Sequence, residues 1–208
     1  MKNTMTIVML IITLGLQAQT KKTTLQPHFG VKVGTNYSNV YDSKGEQFNA
    51  DAKFGLAAGA FVHIPLTSLL GIQPEVLFSQ KGFKGTGRIL GSNYEIKRTS
   101  NFIDVPLLLA ISPAPSFTIV VGPQFSFLTS QKDEFTGGGI NTLQQQEFNN
   151  DNLRKNILGI VGGVDFVVQQ ALISLRAGWD TQTNNGDGTS STPRYKNAIV
   201  QATVGFRL

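Results

Sequence analysis

Cysteine is absent from the chain, which rules out disulfide staples and thiolate metal centres and argues against a lipid anchor carried on an N-terminal cysteine. Charge is scarce as well. Asp, Glu, Lys and Arg make up 15% of the 208 residues, against roughly 25% in ordinary soluble domains, so a fully hydrated surface is hard to furnish. Only His28 and His63 could serve as imidazole bases or ligands, and neither has an Asp, Glu or His cluster beside it in sequence. No apolar run reaches the roughly 20 residues that a membrane-crossing helix needs; the longest spans 5–16.

Chemical motifs are missing too. There is no Gly-x-Ser-x-Gly elbow, and the glycine-rich stretch 82–88 lacks the strand-then-helix setting in which such loops cradle phosphate. The stretch 184–188 lacks the ordered oxygen ligands and closing Glu of a calcium loop. The expectation is therefore a protein with no catalytic residues, no metal and no cofactor. A net charge of +5, partly supplied by Lys2, Lys21 and Lys22, gives no basis for a nucleic-acid partner.

The chain opens with Lys2, an apolar run and a small residue, Ala18, suited to cleavage. That pattern predicts a signal peptide over 1–18 and one domain over 19–208.

From Phe29 onward the period is two, the period of a strand, and amphipathic helical spacing is hard to find. Residues 28–38 set Phe29, Val31, Val33, Thr35 and Tyr37 against Gly30, Lys32, Gly34 and Asn36. The same alternation of oily with small or polar residues recurs over 54–64, 72–79, 103–111, 117–127, 158–166, 171–180 and 197–208, which makes eight strands. Connections alternate in length: long over 39–52, 81–98, 128–153 and 181–195, short over 65–69, 113–115 and 169–170. Antiparallel strands joined in this way place all long loops at one end and all short turns at the other, as in outer-membrane barrels.

Alternation alone also fits a β-sandwich or a soluble lipocalin-like barrel. The chemistry of the two faces decides between them. One face carries mainly Gly, Ala, Ser, Gln and isolated charges, too sparse for bulk water but suited to the packed interior of an eight-stranded barrel, with glycines leaving space for larger neighbours. The other face is almost uncharged. Lipid offers backbone groups no partners, so the first and last strands must pair. The fold expected is all-β, an eight-stranded antiparallel up-and-down transmembrane β-barrel of meander topology.

Lys32, Glu75, Asp104, Asp165, Arg176 and Arg207 fall on the inner face, where they are expected to pair across the lumen as a structural polar network. A turn at Gln169-Gln170 would put Asp165 opposite Ser174 and diagonal to Arg176, within reach of a salt bridge. Outward aromatics gather near strand ends: Tyr37, Phe54, Phe78, Phe127 and Trp179 by the long loops, Phe29, Phe117, Phe166 and Phe206 by the short turns. They read as two interfacial girdles. Loop cations, namely Lys81, Lys84, Arg88, Lys97, Arg98, Arg154, Lys155 and Arg194, are candidates to meet lipopolysaccharide phosphates. Gln144 to Gln146 and Asn149 to Asn152 make the third long loop polar, which serves either to form a contact surface or merely to hydrate the loop.

Four segments together resemble the PorT-like outer-membrane β-barrel proteins of Bacteroidetes, often labelled porin family or outer-membrane beta-barrel domain. They are His-Phe-Gly-Val-Lys-Val-Gly-Thr-Asn at 28–36, Gly-Ile-Gln-Pro-Glu-Val-Leu-Phe-Ser-Gln-Lys-Gly at 71–82, Phe-Ile-Asp-Val-Pro-Leu-Leu at 102–108 and Val-Gly-Phe-Arg-Leu at 204–208. The resemblance covers nearly the whole mature chain and implies an eight-stranded barrel with periplasmic termini. One named member of that family serves a protein-secretion system, and most have no assigned activity.

The functional expectation is an integral barrel of the bacterial outer membrane, exported by its signal peptide and surrounded by lipid and lipopolysaccharide. Its role would be structural or the engagement of a protein partner, with a lumen filled by side chains. The alternatives are a narrow channel for small polar solutes and an accessory barrel of a secretion system.

Overall fold

The computed structural model describes residues 25–41, 49–89, 92–137, 140–146, 153–185 and 194–208. The segment 1–18, expected from sequence to be a signal peptide, the Asn149 to Asn152 stretch and positions 186–188 of the stretch 184–188 lie outside the described residues. Among the described residues there are nine strands: β1 (His28–Tyr41), β2 (Asn49–Pro65), β3 (Leu70–Ile89), β4 (Ser92–Ala114), β5 (Phe117–Gly137), β6 (Ile140–Gln146), β7 (Asn156–Val168), β8 (Ala171–Asp180) and β9 (Lys196–Arg207). No described helix is long and apolar enough to cross a membrane.

Each strand pairs antiparallel with its neighbours, and β1 returns to pair with β9 from Gly30 opposite Arg207 to Tyr41 opposite Lys196. The backbone ring is therefore closed, with β4–β5 completing the circuit. The wall has eight positions, because β6 and β7 share one of them. β7 covers β5 from Phe117 to Phe127, and β6 covers the same edge from Gln131 to Gly137. The molecule is an eight-stranded antiparallel barrel. Over the oily rows closure pairs both edges of each wall strand without water, the condition for residing in lipid, and the free edge of β6 lies beyond them.

The faces divide as the alternation demands. Outward Val204 is 59% exposed and Leu175 47%, whereas inward Asn36, Ser79 and Asp104 are at 0%. A soluble protein would place these the other way round. Apolar side chains also fill the lumen, including Phe61, Leu77, Leu108, Val120 and Val161.

Three strands run further than the periodicity suggests. The segment 81–98, read as a long loop, is the paired upper part of β3 and β4, so the glycine-rich stretch within it is strand rather than loop. Likewise 128–153 holds the upper half of β5 and all of β6. A bulge accounts for part of the misreading. Phe102 faces Leu128 but Asn101 faces Ser130, which leaves Thr129 as an extra residue. Inward positions switch from Leu128 to Gln131 and Asp133, so the phase of the pattern reverses there. At the opposite end the Gln169-Gln170 turn needs a positive φ, and Gln169 supplies it at 57°.

Candidate functional site: the charged lumen

The inner face of this closed wall gathers polar side chains that would be unaffordable alone, because an unpaired charge away from water is strongly disfavoured. They form three tiers. In the tier nearest the short turns, Lys32 on β1 reaches Glu75 on β3 at 2.5 Å. Arg176 on β8 lies 2.7 Å from Asp165 on β7 and 3.5 Å from Glu75. Gln73 donates to both Glu75 and Asp165, each at 2.9 Å, and its carbonyl oxygen lies 3.0 Å from Nδ1 of His63. Since β3 and β7–β8 stand on opposite sides of the ring, these bonds are chords across the lumen.

Glycine makes room for the cations. At Gly163, a Cβ would sit 2.0 Å from the Leu175 carbonyl oxygen and 2.9 Å from Cδ of Arg176, its cross-strand partner. The register also places Asp165 opposite Ser174.

In the middle tier, Lys81 lies 3.2 Å from Asp104, donates to Ser126 at 3.1 Å, and sits 4.7 Å over the Phe102 ring. From β3 round to β9, Asn36 donates to Ser79 at 2.9 Å and accepts from Gln201 at 2.8 Å. Asn197 donates to Asp180 at 2.6 Å. The upper tier is a two-toothed pair: Arg98 Nε and Nη2 each donate to Asp133 at 2.7 Å, the geometry that suits guanidinium and carboxylate best. Tyr195 closes over it, its hydroxyl 3.4 Å from Arg98 and its ring edge-on to Phe83.

Of the inner charges expected from sequence, Lys32, Glu75, Asp165 and Arg176 meet in one cluster, and Asp104 sits a tier higher with Lys81. Arg207 does not join them. It lies half-buried at the short-turn rim, near the chain end, and forms no ion pair among the described residues. Lys81 and Arg98, read as loop cations for lipopolysaccharide, are instead enclosed in the lumen, since β3 and β4 continue through them. Lys84, Lys155 and Arg194 are exposed and Lys97 and Arg154 partly so, while the Arg88 side chain and 144–146 side chains lie outside the described residues.

Sequence reasoning missed Gln73, Lys81, Arg98, Asp133 and Tyr195. Carrying the alternation on from Glu75 reaches Lys81, and carrying it back from Asp104 reaches Arg98. Asp133 had no such signal, because the Thr129 bulge inverts its face.

All nine outward aromatics stand on the outer surface in two bands. Tyr37 packs on Phe54 at 4.9 Å between ring centres near the long-connection end, and Phe117 on Phe166 at 5.1 Å near the short turns. Among the described residues no group of three His, Cys, Asp or Glu could hold a metal ion.

A closed antiparallel ring, oily outside and ion-paired within, defines a transmembrane β-barrel protein. Residues 17–198 match the family model described as outer membrane protein beta-barrel domain, and the chain belongs to that family, whose setting is the bacterial outer membrane. No curated protein matches it in sequence. Among solved structures it is similar to Ail, the attachment invasion locus protein of Yersinia pestis, at 13% identity and a TM-score of 0.49 over 88% of this chain and 99% of that one. It is also similar to Neisserial surface protein A at 10% identity and 0.46, over 86% and 97%. A third is OprG of Pseudomonas aeruginosa at 14% and 0.40, over 87% and 95%.

Proposed function

We propose that residues 1–18 direct export and that 19–208 form a non-conducting barrel of the outer membrane, with a structural role or one of engaging a protein partner at its rims. The PorT-like resemblance fits this reading. The two aromatic bands serve as its interfacial anchors, and catalysis has no part in it. The observation that carries the proposal is the set of chords from β3 to β7 and β8: Glu75, Gln73, Asp165 and Arg176 tie opposite walls together at hydrogen-bond distance. An ion or solute on the axis would have to break the charge-assisted chords of the tier nearest the short turns, and such bonds are about twice as strong as neutral ones.

The expected result in planar bilayers is no discrete current steps from the folded protein, and no swelling of solute-loaded liposomes. Reproducible unitary steps from wild type that change size in an Arg176→Gln variant would reverse the reading in favour of a narrow channel lined by these charges.

A further inference from the structure

We infer that the outer surface of the extended β2–β5 wall is a binding site for the phosphate groups of a phosphorylated glycolipid in the outer leaflet of the membrane. This rests on the barrel residing in the outer membrane.

The wall changes character step by step above the upper aromatic band. Phe78, Ile103 and Phe127 form its last oily row on β3, β4 and β5. The next outward row is an amide and hydroxyl ladder: Gln80 donates to Asn101 at 3.0 Å, and Asn101 donates to Ser130 at 2.9 Å. This ladder marks where hydrocarbon gives way to polar surroundings. Immediately above it comes lysine. Lys132 lies opposite Thr99, and Lys53 of β2 donates to the Thr99 hydroxyl. One row higher, Asp51, Lys84, Lys97 and Glu134 stand side by side across four strands. At about 3.3 Å per residue, the lysine rows begin roughly 13–20 Å along the strand from Phe78, a smaller height once strand tilt is included. Long lysine stems extend the reach back towards the interface.

Lys84 and Lys97 are directly paired across β3 and β4. Cross-strand neighbours of like charge repel at Cβ separations of about 5 Å, so the arrangement costs stability unless an anion offsets it. Glu134 is the carboxylate that does so in part, 3.2 Å from Lys97 and 3.3 Å from Lys132. Asp51 and Glu95 share the face, yet neither forms an ion pair among the described residues. Lys53 and Lys84 have no carboxylate within ion-pair distance among those residues. Lys53 reaches the Thr99 hydroxyl on β4, two residues from Lys97, and Lys84 lies opposite Lys97, so the three lysines stand on neighbouring strands within two residues of one another in register.

A phosphomonoester fits this face. It brings up to two negative charges and three acceptor oxygens, and can receive ammonium groups from adjacent strands at once. Its level on the lipid side of the wall selects a lipid headgroup over a soluble anion. Cations at such a surface add affinity one by one.

The test uses the full folded protein in zwitterionic detergent, titrated with diphosphorylated lipid A, with the same glycolipid after phosphate removal, and with inorganic phosphate. Binding is read by native mass spectrometry and folding by heat-modifiable gel migration. Diphosphorylated lipid A is expected to bind at least about tenfold more tightly than the dephosphorylated form. The Lys84→Gln/Lys97→Gln pair should erase that difference. Glu134→Gln, which frees Lys97 and Lys132, should tighten binding, a gain that a merely destabilised wall would not produce. Equal binding of the two glycolipids, undiminished binding by the double variant, or competition by inorganic phosphate at parity with the lipid would each overturn the inference. Extraction of the barrel from the outer-membrane fraction, measured separately, reports on residency and so keeps its failure distinct.

Discussion

Replacing Glu75 by alanine will destabilise the barrel by about 3–5 kcal/mol, the cost of leaving a buried ion cluster without one of its members. Glu75 faces Lys32 at 2.5 Å and Arg176 at 3.5 Å and accepts from Gln73 at 2.9 Å. With the carboxylate gone, two cations remain enclosed with only Asp165 to balance them. Urea unfolding in lipid vesicles, followed by the fluorescence of Trp179, the single tryptophan, measures the loss. The cluster is a set of mutual dependencies, so the quadruple change Lys32→Met, Glu75→Leu, Arg176→Met, Asp165→Asn, which leaves no charge behind and keeps an acceptor for Gln73, should cost far less than the single removal. A Glu75→Ala loss below about 1 kcal/mol would mean that the lumen behaves like water rather than like protein.

Arginine placed at Leu175 should cost about 2–4 kcal/mol, as expected for a cation on the lipid face near the bilayer midplane. Leu175 points outward near the middle of β8, between Ala171 at the short turn and Trp179 at the upper band. Arginine in place of Lys84, which stands above the oily rows, should change stability little. Equal tolerance at the two positions would show that the oily face does not meet hydrocarbon.

Both outcomes depend on which way a side chain points, and that was largely legible in the sequence. Where one face is oily and the other small or polar, a one-residue slip would reverse every side chain, so register is strongly specified. Asp165 falls opposite Ser174 because a two-residue turn at Gln169-Gln170 leaves no other count. The closing pair of β1 and β9 followed from the need to leave no free edge in lipid. Strand length was not legible. Beyond Gln80 and Asn101 the outer face turns polar, so the contrast that reveals a strand fades although the backbone continues to pair to Ile89 and from Ser92. Lys81 and Arg98 were thus read as loop cations, when the same alternation carried two or three steps further points them inward.

Nor could a period of two survive Thr129. One inserted residue turns Asp133 from the outer to the inner surface, where it meets Arg98. β6 was hidden for a related reason, since Gln144 to Gln146 read as a solvated tract while they complete a wall position above β7.

Enclosure divides the ion pairs into two regimes of ionic strength. Lys97 and Glu134 expose more than a third of their side chains, and mobile counter-ions will screen them over a Debye length of about 8 Å at physiological salt. Lys32, Glu75 and Arg176 are sealed from those ions by the wall itself. Raising salt should therefore loosen the outer fringe of the molecule while its axis stays indifferent.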